Sequence, residues 1–226
     1  MKKQPPVREK SLRSKIVDGL ISYLLTEGHL PASVTLLCKQ LDIRDASFYK
    51  EFPSIAAAQK FLWKNWIDQL IAAVSSGTEW ESFSAKERYL AFLFAFTQAA
   101  LEHRSLLLLC FSKTGPHQTH AQLAVLQHSF KEFASELVEH GRETAEIADR
   151  GPLVSIYPEV LYLHWRWVLD FYLNDESEGF ERTDAFIEKT VGLAFDLFRS
   201  QAIDAAADLA RFLLPKASCF KETGGM

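Results

Sequence analysis

Apolar residues recur at helical spacing along almost the whole 226-residue chain, and this periodicity restricts the fold more than anything else in the sequence. Ile16, Leu20, Tyr23 and Leu24 form the first such stripe, at the spacing that places side chains on one face of a helix. No stretch of useful length alternates between apolar and polar residues, as a half-buried strand would. The pattern therefore predicts an all-α protein.

Breaks in this pattern divide the chain into nine to ten helices. Gly28 has the place of a helix C-cap, and Ser33 and Ser54 have the places of N-caps for the second and the long fourth helix. The second helix is predicted to end at Leu41 and the fourth at about Ser76. The other predicted helices cover about 45–51, 84–103, 105–113, 118–140, 157–173, 181–199 and 203–213.

The charges are divided unevenly between the two ends of the chain, whose net charge is -4. Up to Asn65 there are eleven Lys and Arg against six Asp and Glu, whereas the remainder has 14 basic and 23 acidic residues. A basic head on an acidic body favours a head that meets a polyanion, although a solvated basic tail is the alternative. We expect a head over 1–54 with a basic N-terminal arm, a connecting helix over 55–76 and a helical body over 77–226.

Several classes of protein are disfavoured by what the sequence lacks. No apolar run approaches the ~20 residues of a membrane span, and no secretion signal follows the basic N-terminus. Cys38, Cys110 and Cys219 are far apart, which favours a reduced, cytoplasmic compartment. His117 and His120 have no Cys or acid at a zinc-ligand spacing, and motifs for phosphate binding or hydrolysis are absent. We expect neither an enzyme nor a cofactor, metal or membrane partner.

The first three helices have the layout of a helix-turn-helix: two helices joined by a three-residue break, with a short and partly polar second helix. The motif residues are Ser33-Val34, Ile43, Ser47-Phe48-Tyr49 and Phe52-Pro53-Ser54. With these residues, the segment 12–65 resembles the N-terminal domain of the TetR family of bacterial transcriptional regulators. The resemblance implies a three-helix head that binds double-stranded DNA, and a larger C-terminal helical domain that binds a small-molecule effector and forms a homodimer.

The segment departs from the family pattern at three places. Asp42 stands where the family has a turn glycine, although Asp tolerates the left-handed backbone better than most residues. Arg44-Asp45-Ala46 replaces the usual Ser-Lys-Gly, and Ile55 replaces a lysine that reaches phosphate. Ile55 and the three carboxylates of this segment, Asp42, Asp45 and Glu51, motivate an alternative, in which a TetR-fold protein binds an apolar or lipid-like ligand and has lost operator binding.

The candidate DNA contacts lie on and around the third helix. Arg44, Ser47 and Lys50 are spaced by three residues and share one face, and the Tyr49 hydroxyl can donate to a phosphate. In the alternative interpretation, Arg44 and Lys50 form ion pairs with Asp45 and Glu51 on a solvated surface. The residues expected at DNA are Arg44, Ser47, Tyr49, Lys50, Ser33, Lys60 and Lys15.

The helix predicted over 157–173 is apolar nearly all round, which requires burial on more than one side. Since the last helices of the resembled family pair across a two-fold axis, we expect a dimer interface here, with a large monomer core as the alternative. The interface residues expected are Tyr162, Leu169, Phe186 and Phe195. The ligand-pocket residues expected are Trp66, Phe96, His103, Phe111, His128 and Trp165, although aromatic residues at helical spacing are more often core.

Together these expectations describe a TetR-like repressor. It would bind a palindromic operator as a dimer and be released by a small apolar or aromatic ligand.

Overall fold

The computed structural model describes residues 11–112 and 121–200, and within these two ranges it contains helices and no strand. The all-α prediction is therefore confirmed. The arm residues 1–10, His117, His120 and the helix predicted over 203–213 lie outside the described ranges. The helices are α1 (Leu12–Glu27), α2 (Val34–Leu41), α3 (Asp45–Glu51), α4 (Ile55–Ser75), α5 (Ala85–Glu102), α6 (Arg104–Phe111), α7 (Ala121–Glu143), α8 (Tyr157–Leu173) and α9 (Glu181–Arg199).

Serine caps fix the beginnings of several helices. The Ser33 hydroxyl accepts a hydrogen bond from the Leu36 N–H at the start of α2, and the Ser54 hydroxyl accepts one from Ala57 at the start of α4. Each such cap stabilises its helix by ~1 kcal/mol relative to alanine. Gly28 ends α1 in the left-handed conformation, with φ of 74°. These three predicted caps are confirmed.

The segment after α7 differs from the prediction, because the helix passes through Gly141 and ends at Glu143. A β-carbon at position 141 would lie 2.8 Å from Ile147 Cδ1 and 3.0 Å from the Ala85 side chain. Gly141 therefore permits close packing inside a helix and does not end it. A 3-10 segment, Gly151–Ile156, then leads directly into α8.

The core is continuous from the head to the body. In the head, α1, α2 and α3 pack around Ile16, Leu37 and Phe48, which are fully buried. In the body, α5, α7, α8 and α9 surround a second group of buried apolar residues. Helix α4 packs on α1 at one side and on α5 and α7 at the other, and α6 also contacts α1. Two helices therefore join the head to the body.

Candidate functional site

The turn between α2 and α3 has the geometry of a helix-turn-helix. Asp42 adopts the left-handed conformation, with φ of 50° and ψ of 53°, and the Ile43 N–H donates to the Cys38 carbonyl at 3.0 Å. The expectation that Asp42 supports this turn in place of glycine is confirmed.

Helix α3 presents one face to the core and another to solvent. Phe48 and Phe52 are buried beneath the helix, whereas Arg44, Tyr49 and Lys50 are exposed and Ser47 is half-buried. The other residues expected at DNA are also exposed, namely Ser33 at the start of α2, Lys15 on α1 and Lys60 on α4. The Ser33 hydroxyl oxygen is engaged in capping α2.

The cations of the head differ from those of the body in their pairing. Every ion pair between two described residues involves Lys64 or a later residue. Arg44 and Lys50 have no carboxylate partner within the described ranges, so the alternative in which they pair with Asp45 and Glu51 is not formed. The exposed side chains of Arg44, just before α3, and Lys50, near its end, are therefore not occupied by a carboxylate of the described ranges.

Asp45 forms a hydrogen bond that the sequence did not suggest. The Thr35 hydroxyl of α2 donates to Asp45 Oδ2 at 2.5 Å, across the turn. This bond joins the first turn of α3 to the first turn of α2. Ile55 also has a structural role, because it packs half-buried against the core.

Arg13 also belongs to this surface, and the sequence did not predict its contacts. Its guanidinium lies 4.6 Å from the ring centre of Phe52 and 4.4 Å from that of Phe61. Cation–π contacts of this kind contribute ~0.5–1 kcal/mol at exposed sites. Because the rings come from the end of α3 and from α4, no local pattern around Arg13 predicts the contact.

Five of the six expected pocket residues belong to one aromatic cluster in the body, which contains Trp63, Trp66, Phe96, His103, Phe111 and Trp165. The Trp66 ring lies 5.7 Å from Phe96 and 6.3 Å from His103, and Phe96 lies 5.4 Å from Trp165. Trp63 connects Phe111, at 4.8 Å, with Trp66, at 6.0 Å. The cluster thus joins α4, α5, α6 and α8.

His128 is the exception, and its assignment to the pocket is wrong. Its side chain is 73% exposed, with Nε2 3.6 Å from a carboxylate oxygen of Glu132 on the same helix. Helix α7 turns Phe130 and Phe133 towards the core, so that position 128 faces solvent.

Two donors in the aromatic cluster lack acceptors. The indole N–H groups of Trp63 and Trp165 are buried, and neither has a hydrogen-bond partner among the described residues. A buried polar group without a partner costs about 1–3 kcal/mol. The two indole N–H groups are therefore unpartnered donors inside an otherwise apolar cluster.

An apolar groove of about 470 Å³ runs between α8 and α9. Its most exposed members are Leu193, Ile156, Trp167 and Leu197, with 61%, 50%, 46% and 42% of their surfaces accessible. Exposed apolar patches of this kind on soluble proteins commonly mark interaction sites. The groove is lined by Leu153, Ile156, Tyr157, Val160, Leu163, His164, Trp167, Thr190, Leu193, Ala194, Leu197 and Phe198.

The residues expected at the dimer interface lie elsewhere. Tyr162, Leu169 and Phe195 are buried within the single chain, and Phe186 is half-buried, with its ring stacked 4.5 Å from that of Phe171. The assignment of the three buried residues to a partner-facing surface is therefore wrong. Because α8 is apolar nearly all round, its periodicity did not distinguish the stripe facing the core from the stripe facing solvent.

His164 is a buried polar residue among those that line the groove. Its Nδ1 lies 2.8 Å from the Tyr89 hydroxyl, and its Nε2 lies 2.7 Å from the Thr190 hydroxyl. Burial lowers the pKa of His164 from 6.5 to about 4. The side chain is therefore neutral at neutral pH, and it links α5, α8 and α9 by hydrogen bonds.

We expect His164 to make folding sensitive to mild acid. Because its pKa is lower in the folded than in the unfolded chain, the unfolded chain binds more protons between pH ~6.5 and ~4. The free energy of unfolding should fall as the pH drops through this window, by up to about 3 kcal/mol. In urea unfolding at fixed protein concentration, the free energy of unfolding of His164→Gln should depend less on pH than that of the wild type. The same pH dependence of the free energy of unfolding in the wild type and in His164→Gln would contradict this role.

The described ranges contain no group of three or more His, Cys, Asp or Glu placed to hold a metal ion. Nor do they contain a helix with the length and apolar character needed to cross a membrane.

Comparison with known proteins gives both a family and a fold. Residues 88–213, more than half of the chain, match the family model described as "Tetracyclin repressor-like, C-terminal domain". A putative TetR-family transcriptional regulator from Syntrophomonas wolfei is 16% identical, with a TM-score of 0.63 over 83% of this chain and 95% of that one. The regulator FadR from Bacillus subtilis, solved in complex with stearoyl-CoA, is 14% identical, with a TM-score of 0.61 over 79% of this chain and 97% of that one.

The fatty acid degradation regulator FadR from Bacillus halodurans is 12% identical, with a TM-score of 0.62 over 84% of this chain and 97% of that one. At these identities the structural likeness concerns the fold alone. A comparison with curated proteins gives no match.

Proposed function

Because the chain belongs to the tetracycline-repressor (TetR) family of transcriptional regulators, we propose that it is a repressor that binds duplex DNA through α2 and α3. The observation that carries this proposal is the exposed face of α3, whose cations have no carboxylate partner in the described part of the chain. Such charges neutralise phosphates, and residues in the first turns of α3 meet base edges. In this proposal the head is 1–54, the connecting helix 55–76 and the regulatory body 77–226.

The first test concerns Arg44 and Lys50. Each alanine variant should weaken binding to duplex DNA and lower the slope of log affinity against log salt by about 0.9, because one phosphate contact is lost. If Arg44 instead contacts a guanine, its variant should relax the preference at one base pair. Affinities measured at several salt concentrations by fluorescence anisotropy provide the comparison.

The matched control for these variants is Lys189→Ala, which removes an exposed cation from α9 in the body. For this variant, the slope of log affinity against log salt should equal that of the wild type. Unchanged affinity and slope in both Arg44→Ala and Lys50→Ala would mean that α3 does not contact DNA.

We propose further that the α8/α9 groove is covered by the same groove of a second copy. A two-fold interface brings one apolar surface against itself, and Leu193, Leu197 and Trp167 provide exposed side chains that such pairing would bury. Two heads related by this symmetry would contact half-sites about one DNA turn apart, ~34–36 Å. The operator of such a homodimer is a palindrome.

The aromatic cluster is the proposed ligand site of the body. Its rings favour an apolar ligand, and the unpartnered N–H groups of Trp63 and Trp165 favour one that carries an oxygen acceptor. An acyl chain with a carbonyl group meets both requirements. The complex of Bacillus subtilis FadR with stearoyl-CoA supports this choice, since that protein shares the fold.

Ligand and DNA are proposed to bind antagonistically through α4. This helix contributes Trp63 and Trp66 to the aromatic cluster, while Phe61, near its start, lies 5.5 Å from Phe52 below the recognition helix. A ligand that displaces the end of α4 in the body changes the distance between the two heads. Because the half-sites on DNA require one fixed distance, the changed arrangement binds DNA more weakly. We expect a coupling of about 1–3 kcal/mol, the usual range for allosteric pairs.

Titration with stearoyl-CoA tests this coupling, and coenzyme A without an acyl chain is its control. The acylated compound should change tryptophan emission and weaken DNA binding by about 5- to 150-fold. Single-tryptophan variants assign the emission change to Trp63 or Trp66. Tight binding of stearoyl-CoA with the same DNA affinity in its presence and absence would contradict the coupling.

Ile55 and the carboxylates of Asp42, Asp45 and Glu51 motivated the alternative of a ligand carrier without operator binding. In the structure Asp45 accepts a hydrogen bond from Thr35 and Ile55 packs against the core, so each has a role in folding the head. Neither residue therefore requires that DNA binding has been lost.

A further inference from the structure

The Thr35–Asp45 pair places a carboxylate at the start of the recognition helix. Asp45 is the first residue of α3 and is half-buried, and its Oδ2 accepts the Thr35 hydroxyl hydrogen at 2.5 Å. A carboxylate can accept about four hydrogen bonds, of which the Thr35 hydroxyl supplies one and the buried Cys38 thiol another. The remaining positions can accept hydrogen bonds from a binding partner.

A carboxylate at the start of α3 can bind only those DNA groups that donate a hydrogen bond. It repels phosphate oxygens, so it gains nothing from the sequence-independent attraction that Arg44 and Lys50 provide. In the major groove, cytosine presents an amino donor at N4, whereas guanine presents acceptors at N7 and O6. Adenine presents its N6 amino group beside the N7 acceptor, which opposes a carboxylate. Cytosine is therefore the base that suits Asp45.

We propose that Asp45 recognises one cytosine in each half-site by accepting a hydrogen bond from the N4 amino group. The inference rests on the proposed function, because it requires α3 to lie in the major groove with its first turn at the bases. Asp45 would thus determine sequence specificity, whereas the cations of the head would supply the binding energy from phosphates.

Thr35 is the positioning residue of this pair. An exposed Asp side chain samples several rotamers, and its ordering upon binding costs free energy. The charge-assisted bond from the Thr35 hydroxyl holds the carboxylate before DNA arrives. Among the described residues, Asp45 forms no ion pair with its exposed neighbour Arg44.

The test is selection of duplexes from a randomised library by the full-length protein, followed by sequencing. The wild type should select cytosine over the other bases at one symmetric position by about 5- to 150-fold. Asp45→Ala should bind DNA without this preference. Asp45→Asn should prefer adenine at the same position, because an amide can donate to N7 and accept from N6.

Three further variants separate recognition from folding. Thr35→Val should reduce the preference for cytosine, and Thr35→Ser, which keeps the hydroxyl, should restore it. Glu51→Gln removes a carboxylate from the other end of α3 and should leave the preference unchanged. Circular dichroism establishes that each variant is folded.

An unchanged cytosine preference in both Asp45→Ala and Asp45→Asn would overturn the inference while leaving the proposed function intact. Wild-type protein that selects no DNA at all would overturn the proposed function and, with it, this inference.

Discussion

Replacing Leu193 with aspartate is expected to convert the proposed dimer into monomers and to weaken the proposed operator binding by more than ~100-fold. Leu193 is the most exposed large apolar residue in the described part of the chain, and it lies in the α8/α9 groove. Burial of one leucine is worth about 1.5–3 kcal/mol, and a two-fold interface buries it twice. The variant also places an unpaired carboxylate from each copy at an apolar interface, which adds several kcal/mol. Separate heads then lose the effective concentration that links two half-sites.

Sedimentation velocity at micromolar concentration measures this change. The control is Leu101→Asp, which alters a half-exposed leucine on α5 that is not part of the groove. That variant should remain a dimer. A Leu193→Asp protein that sediments as a dimer would show that the groove is not the interface.

Truncation of Phe96 to alanine should lower the free energy of unfolding by about 3–5 kcal/mol, the usual cost for a fully buried phenylalanine. Phe96 is 0% exposed and contacts Trp66 on α4 and Trp165 on α8, so its ring joins the connecting helix to the body. Removal of the ring leaves a cavity in the aromatic cluster, which the neighbouring rings fill only in part.

Urea unfolding at fixed protein concentration gives this free energy. Leu101→Ala, on the same helix but half-exposed, should change it by no more than about 0.5 kcal/mol. A loss of less than about 1 kcal/mol in Phe96→Ala would mean that the cluster is loosely packed and that α4 is not fixed to the body through it.

The helices themselves were predictable because their signals are local. Ser33 and Ser54 cap α2 and α4 through residues only three positions away, and Gly28 ends α1 by its own conformation. The inward positions of Phe48 and Phe52 likewise follow from spacing within and just after one short helix.

Contacts between distant helices were not predictable in the same way. The Thr35–Asp45 bond and the position of Arg13 over Phe52 depend on how α2, α3 and α1 pack, which no single segment encodes. On α8, apolar residues occupy nearly the whole circumference. Which stripe remains outside is decided by the packing of α5, α7 and α9, and therefore Trp167 is exposed while Tyr162 is buried.

The proposed function requires the head to bind a specific DNA sequence. A mobility-shift assay with the duplex that flanks the protein's own gene tests it most directly, at physiological salt and with unlabelled competitors. We predict a retarded complex with a Kd of roughly 10⁻⁸ M or tighter, which the same duplex displaces far better than an unrelated duplex of equal length. No complex at about 1 µM protein, or equal displacement by both competitors, would show that the head does not bind this DNA specifically.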